Sequence, residues 1–140
     1  MLRRALVSPR LWLFCVILWA SALFMLSSLP AVPRADGPEI PHLDKVMHFV
    51  YFMGGAFLFT TNLLLGHGST ARPAVRILCP ILVFAIVGAL DEYHQTFTEG
   101  RSGNDPFDWL ADVLGAATGA FIANRLHPQL RRHGAKRQVS

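Results

Sequence analysis

Four apolar stretches, at about 11–29, 46–65, 75–91 and 107–126, alternate with polar connections along this chain. Crossing a hydrocarbon core of about 30 Å as a helix takes roughly 20 residues, so each stretch is close to the length of a membrane span. The pattern predicts an all-α fold, a four-helix transmembrane bundle. Leu11 to Leu29 carries no charge and outruns the apolar core of a signal peptide, about 7–15 residues, so a retained helix is expected there. The third stretch contains Pro80, and the fourth is the least hydrophobic because it holds Asp108 and Asp112. Segment 30–43 is rich in Pro and reads as an extended connection, since Pro fixes φ and interrupts helices.

Charge gives the bundle two sides. All nine carboxylates lie between Asp36 and Asp44 or between Asp91 and Asp112. Of the thirteen Lys and Arg residues, only Arg34, Lys45 and Arg101 share those regions. The others sit at the N-terminus, in the Gly66–Arg76 loop, or from Arg125 into the basic tail at 127–140. Lysine and arginine mark cytoplasmic loops. Both termini are therefore expected in the cytoplasm and the acidic connections outside, in one multi-pass domain of a cell membrane.

Composition agrees. With 52% hydrophobic and 16% charged residues, a chain this small lacks the polar surface of a soluble domain. The formal charge of +4 lies beside apolar stretches, where phospholipid head groups are the expected partner rather than nucleic acid. Cys15 and Cys79 fall inside apolar stretches, which supports neither a disulfide framework nor a CxxC metal site.

An internal repeat is suggested at an offset of about 64 residues. Cys15-Val16-Ile17-Leu18 aligns with Cys79-Pro80-Ile81-Leu82, Asp44 with Asp108, and Gly55-Ala56-Phe57 with Gly119-Ala120-Phe121. Such a duplication would relate two helical hairpins in parallel about an axis along the membrane normal.

The chemistry gathers on the acidic side. Asp44, His48, Tyr51 and Gly55 are spaced to share one face of the second helix; Asp108, Asp112, Gly115 and Gly119 repeat that spacing in the fourth. Small residues four apart let helix backbones approach, so Gly55, Gly115 and Gly119 are expected at packing faces. The carboxylates on the same stripe then point into the bundle, where an unpaired charge is costly. At the end of the third stretch, Glu92 and Gln95 share a face, and Arg101 follows between Gly100 and Gly103 in a turn able to bring its guanidinium over the mouth. His42, His67, His127 and His133 read as loop or tail residues.

These motifs resemble the VanZ-like family of small bacterial membrane proteins. The match rests on Asp44-Lys45-x-x-His48 with Tyr51, on Glu92-x-x-Gln95 followed by Gly100-Arg101-Ser102, and on Asp108-x-x-x-Asp112-x-x-Gly115-x-x-x-Gly119. It covers about half the chain, from Asp44 to Gly119. The family often carries Asn where this chain has Asp112. It is named for a protein conferring low-level resistance to the glycopeptide teicoplanin, so the resemblance implies the bacterial inner membrane and a role in the cell envelope. It also implies functional positions at Asp44, Lys45, His48, Glu92, Gln95, Arg101, Asp108 and Asp112.

Three roles fit these residues. In the first, Asp44, Lys45, His48, Tyr51, Glu92, Gln95, Arg101, Asp108 and Asp112 bind an envelope lipid or glycopeptide-like ligand, with Arg101 and Lys45 holding anionic groups. In the second, the protein is a membrane-embedded enzyme acting on a lipid-linked precursor. His48, oriented by Asp44 or Asp108, is then a general base, or His48, Glu92, Asp108 and Asp112 hold a divalent metal. In the third, the polar groups serve only to hold a structural membrane protein together. A homodimer through Gly115 and Gly119 would enlarge any enclosed site. The topology is directly checkable: a membrane-impermeant maleimide should label Ser102→Cys from outside intact cells, and Gly68→Cys only after permeabilisation.

Overall fold

The computed structural model describes residues 7–30, 41–66 and 72–135, residues 130–135 as backbone only. Most of the Pro-rich connection (31–40), the loop at 67–71 with His67, and the end of the basic tail (136–140) lie outside the described residues. The described chain is all helical: α1 (Pro9–Ser27), α2 (Leu43–Gly66), α3 (Pro73–Gln95) and α4 (Pro106–Ala135). The first three are long and apolar enough to cross a membrane. The fourth has the length, but Asp108, Asp112 and its arginines lower its hydropathy.

Proline opens three of the helices, Pro9, Pro73 and Pro106. At the first helical position its missing N–H costs nothing, because that donor has no partner within the helix. Asp105 completes the start of α4 by accepting the Phe107 N–H at 2.8 Å, as an N-cap does. That bond, with the Lys45 ammonium beside it, holds the Asp105 carboxyl below the usual carboxylate range. A depressed acid stabilises the fold above its unfolded pKa, so this cap is intact at neutral pH and is lost as pH falls through the acid range.

α2 packs most extensively on α4, and α1 lies against α2 with little contact to α3. Contacts between α2 and α4 advance together from Lys45–Asp108 through His48–Asp112 to Met53–Gly119, so the two helices run parallel. The first two pairs are 63 and 64 residues apart. Close approach depends on glycine. A Cβ on Gly115 would overlap the Phe49 carbonyl oxygen, and one on Gly119 the Met53 carbonyl oxygen. The glycine pair is thus spent inside the chain, on α2. Gly55 does the same for α1, since a Cβ there would enter the Trp19 ring.

The core is small: Phe52, Ala56, Phe84 and Ala116, with Trp19 packed against it. Large apolar side chains such as Phe14, Ile17, Met47, Leu82, Ile86 and Leu114 are exposed around the outside, the inverse of a water-soluble surface and the arrangement lipid requires. Pro80, inside α3, cannot donate to the Arg76 carbonyl four residues earlier. The Asn124 amide of α4 reaches that oxygen at 3.4 Å. α4 also continues past 126, so His127 is a buried helical residue, 6% exposed, and not the tail residue the sequence suggested.

Replacing Gly115 by Val should force α2 and α4 apart. A loss of about 1–3 kcal/mol is expected, the usual cost of overpacking, read as earlier thermal unfolding in detergent. Gly54→Ala is the control: nothing lies within 4 Å of its Cβ position, and it should gain stability by up to about 1 kcal/mol.

Candidate functional site

The polar ends of all four helices meet. α2 and α4 begin there, α1 and α3 end there, and the connection from Thr96 to Asp105 crosses the group. Asp44, Lys45, His48, Tyr51, Glu92, Gln95, Asp108 and Asp112 are brought to this end, as their spacing within each helix suggested.

His48 stands at the centre. Its Nδ1 lies 3.0 Å from Asp112 Oδ1, and Asp112 is fully buried. For a general base the sequence offered Asp44 or Asp108 as the orienting carboxylate, and it offered His48 among the partners of Asp112; the structure makes the second pairing, one turn deeper in α4. Its carboxylate fits because α3 carries Gly88 opposite it, where a Cβ would lie 2.7 Å from Asp112 Oδ2. On the other edge of the ring, His48 Nε2 is 4.0 Å from Glu92 Oε1, beyond hydrogen-bonding distance. Glu92 Oε2 is engaged, accepting the Asp105 N–H at 2.8 Å, while Oε1 is buried without a hydrogen bond.

Lys45 is saturated. Its ammonium contacts Asp44 at 3.1 Å and both Asp105 and Asp108 at 3.0 Å. A cation shared by three carboxylates has little left for an anionic ligand, contrary to the phosphate-holding role offered for it. Asp105 went unnoticed as a site residue because its Asp-Pro sequence reads as helix punctuation, and only the fold brings Lys45 to it.

Arg101 does not pair with the carboxylates. Its Nη2 donates to Leu26 O at 2.8 Å and its Nε to Leu29 O at 3.1 Å, at the C-terminal end of α1. A third N–H reaches Gln95 Oε1 at 3.3 Å. A cation at the negative end of a helix dipole is favourable, and the contact ties the connection to α1. Gln95 in turn donates to Asp91 Oδ2 at 2.8 Å, so Asp91, Gln95 and Arg101 form one chain of hydrogen bonds. Ser27 and His94 make another tie across α1 and α3, at 3.1 Å.

The first helix is part of the site, which the sequence assigned to the other three. Tyr51 OH donates to Trp19 O and Trp19 Nε1 to Tyr51 O, both at 3.0 Å. This reciprocal pair fixes α1 against α2. Tyr51, His48, Asp44, Asp91, Gln95 and Arg101 then line one side of a cavity of about 440 Å³, whose other walls are apolar and include Leu23, Leu26 and Met47. A second, apolar cavity of about 380 Å³ opens between α1 and α3 against Trp19, Phe84 and Val87. Leu23 and Asp91 line both.

Among the described residues, two sets of His and carboxylate groups are close enough to hold a cation: His48, Glu92 and Asp108, and Asp44, Asp105 and Asp108. The second is the set that Lys45 already fills.

The sequence profile of the VanZ/LLP1 family matches residues 10–127. No curated protein and no solved structure matches the chain. Breaking the His48–Asp112 contact tests the centre of the site. His48→Leu and Asp112→Leu should each cost about 3–5 kcal/mol, because each strands a buried polar partner. The double replacement should cost clearly less than their sum in a double-mutant cycle of detergent unfolding.

Proposed function

The chain belongs to the VanZ/LLP1 family, and on that footing we propose that it binds an amphiphilic envelope lipid at the outer face of the bacterial inner membrane. The observation that carries this reading is the pair of cavities sharing Leu23 and Asp91. One is polar along one wall and sits at the helix ends; the other is apolar and opens between α1 and α3. A head group in the first would leave its acyl chain in the second, alongside the bilayer's own chains. Clefts with a few convergent polar groups and mostly apolar walls are the usual form of a small-ligand site.

The lining selects the head group. Asp44, Asp91 and Gln95 offer acceptors for hydroxyl and amide N–H donors, and His48 and Tyr51 border the same space. Lys45 is held by carboxylates and Arg101 by helix carbonyls, so the site favours a glycan- or peptide-bearing lipid over one recognised by phosphate alone. Holding a lipid-linked envelope precursor would alter what a glycopeptide antibiotic can reach, which connects this reading to the tolerance that the VanZ-like resemblance implies.

Native mass spectrometry of protein extracted with its own lipids should show one retained lipid per chain. Leu23→Trp, which fills the shared wall, should abolish that adduct while the protein still elutes as a folded species. A wild-type chain that carries no lipid would refute the reading.

A further inference from the structure

We propose that His48, Glu92 and Asp108 form a binding site for a divalent transition-metal ion of the zinc or manganese type. The site does not depend on the lipid reading. Its three side chains come from three helices, α2, α3 and α4, and each offers a ligand atom within 4.8 Å of the other two.

Three observations converge on it. Glu92 is only 4% exposed, and its Oε1 has no hydrogen bond although Oε2 is fixed by the Asp105 N–H. The oxygen left over is the one facing His48 Nε2 at 4.0 Å. That gap is too long for a hydrogen bond. Two ligands on one ion with bonds of about 2.1 Å stand roughly 3.4 Å apart in a tetrahedron, so a contraction of about half an ångström closes it.

The imidazole is already oriented for a metal. Its Nδ1 meets Asp112 Oδ1 at 3.0 Å, the carboxylate–histidine arrangement that places the proton on Nδ1 and turns the Nε2 lone pair toward an ion. Asp112 Oδ2 is itself buried without a partner, and Gly88 leaves the space for it.

Charge gives the third argument. Asp44, Glu92, Asp105, Asp108 and Asp112 surround Lys45 and His48. Even with a protonated imidazole the group is formally −3; Glu92, Asp108 and Asp112 are its buried members, and buried carboxylates in excess over their cations need a further cation or protons. The neighbouring set supplies the comparison. Where Asp44, Asp105 and Asp108 converge, the ammonium of Lys45 stands among them at 3.0–3.1 Å. At Glu92 no lysine or arginine stands so among the described residues; the group facing Oε1 is the His48 imidazole at 4.0 Å.

Ligand type narrows the ion. One imidazole nitrogen with carboxylate oxygens suits zinc, manganese or ferrous iron better than calcium, which takes oxygen alone. Because His48 also lines the polar cavity, an ion here would stand beside whatever occupies that space.

The test uses the full-length protein in detergent, stripped with a chelator. Mn²⁺ is titrated in and followed by loss of the free-ion electron paramagnetic resonance signal, and Zn²⁺ is titrated against a chromogenic chelator. One ion per chain is expected. Glu92→Gln keeps the shape and the Asp105 contact, and should weaken binding about tenfold or more with no change in metal-free unfolding. Asp108→Asn provides a second near-isosteric loss. Failure of the wild-type chain to take up a stoichiometric ion overturns the proposal. So does equal uptake by wild type and Glu92→Gln, which would assign the ion to histidines elsewhere. Neither result depends on whether a lipid is bound.

Discussion

The carboxylate of Asp112 sits inside a helical bundle, out of reach of solvent, and a group of that kind has to be satisfied by the protein itself. His48 does this for one of the two oxygens, Oδ1, across the α2–α4 contact at 3.0 Å. The rest of the polar end follows from that bond. It fixes the stagger of two parallel helices, and that stagger delivers Lys45 to Asp108 one turn above. Two turns below, it sets Gly119 against the Met53 carbonyl. Slipping the register by one residue would lose the polar pair and drive a larger side chain into a backbone at the same time. Polar pairing and small-residue packing therefore select the same arrangement, and each limits the error the other tolerates.

The charges at this end divide into two groups with different work. Lys45 and Arg101 are committed to the fold: one neutralises the starts of α2 and α4, the other closes the end of α1. Asp91 and Gln95 extend Arg101 into the polar cavity, and His48 joins that cavity to the carboxylates behind it. Hence the two arginine- and lysine-based anion sites that the sequence suggested give way to a lining dominated by acceptors. A ligand of hydroxyl and amide character fits such a lining, and so does a cation at its inner edge.

The thin contact between α1 and α3 is equally consequential. Trp19 bridges them in the core, through Tyr51, Phe52 and Phe84. Apart from this bridge and the contacts of Ser27 and Phe24 with His94, the two helices leave an apolar groove. In water such a groove would collapse under the hydrophobic effect. Among acyl chains it carries no comparable penalty, because lipid tails are as apolar as the leucines that line it. A groove of this kind is thus stable only in the environment that the exposed apolar surface implies.

By itself the sequence determined the helical class and the four helices, three of them apolar enough to cross a membrane, the clustering of acids at one end and the faces carrying Asp44, His48, Asp108 and Asp112. These are properties of local periodicity and composition, which a helix expresses whatever it packs against. Tertiary structure alone decided the partners. Whether His48 meets Asp108 or Asp112 depends on the axial stagger of two helices, a distance of one turn that no spacing within either helix encodes. Arg101 could be placed at the mouth from its loop, but its capture by Leu26 and Leu29 required the end of α1, more than seventy residues earlier, to arrive beside it. Trp19, Gly88 and Asp105 likewise look unremarkable in the chain. Each matters for what it touches, and such contacts arise only when separate helices are brought to a common depth.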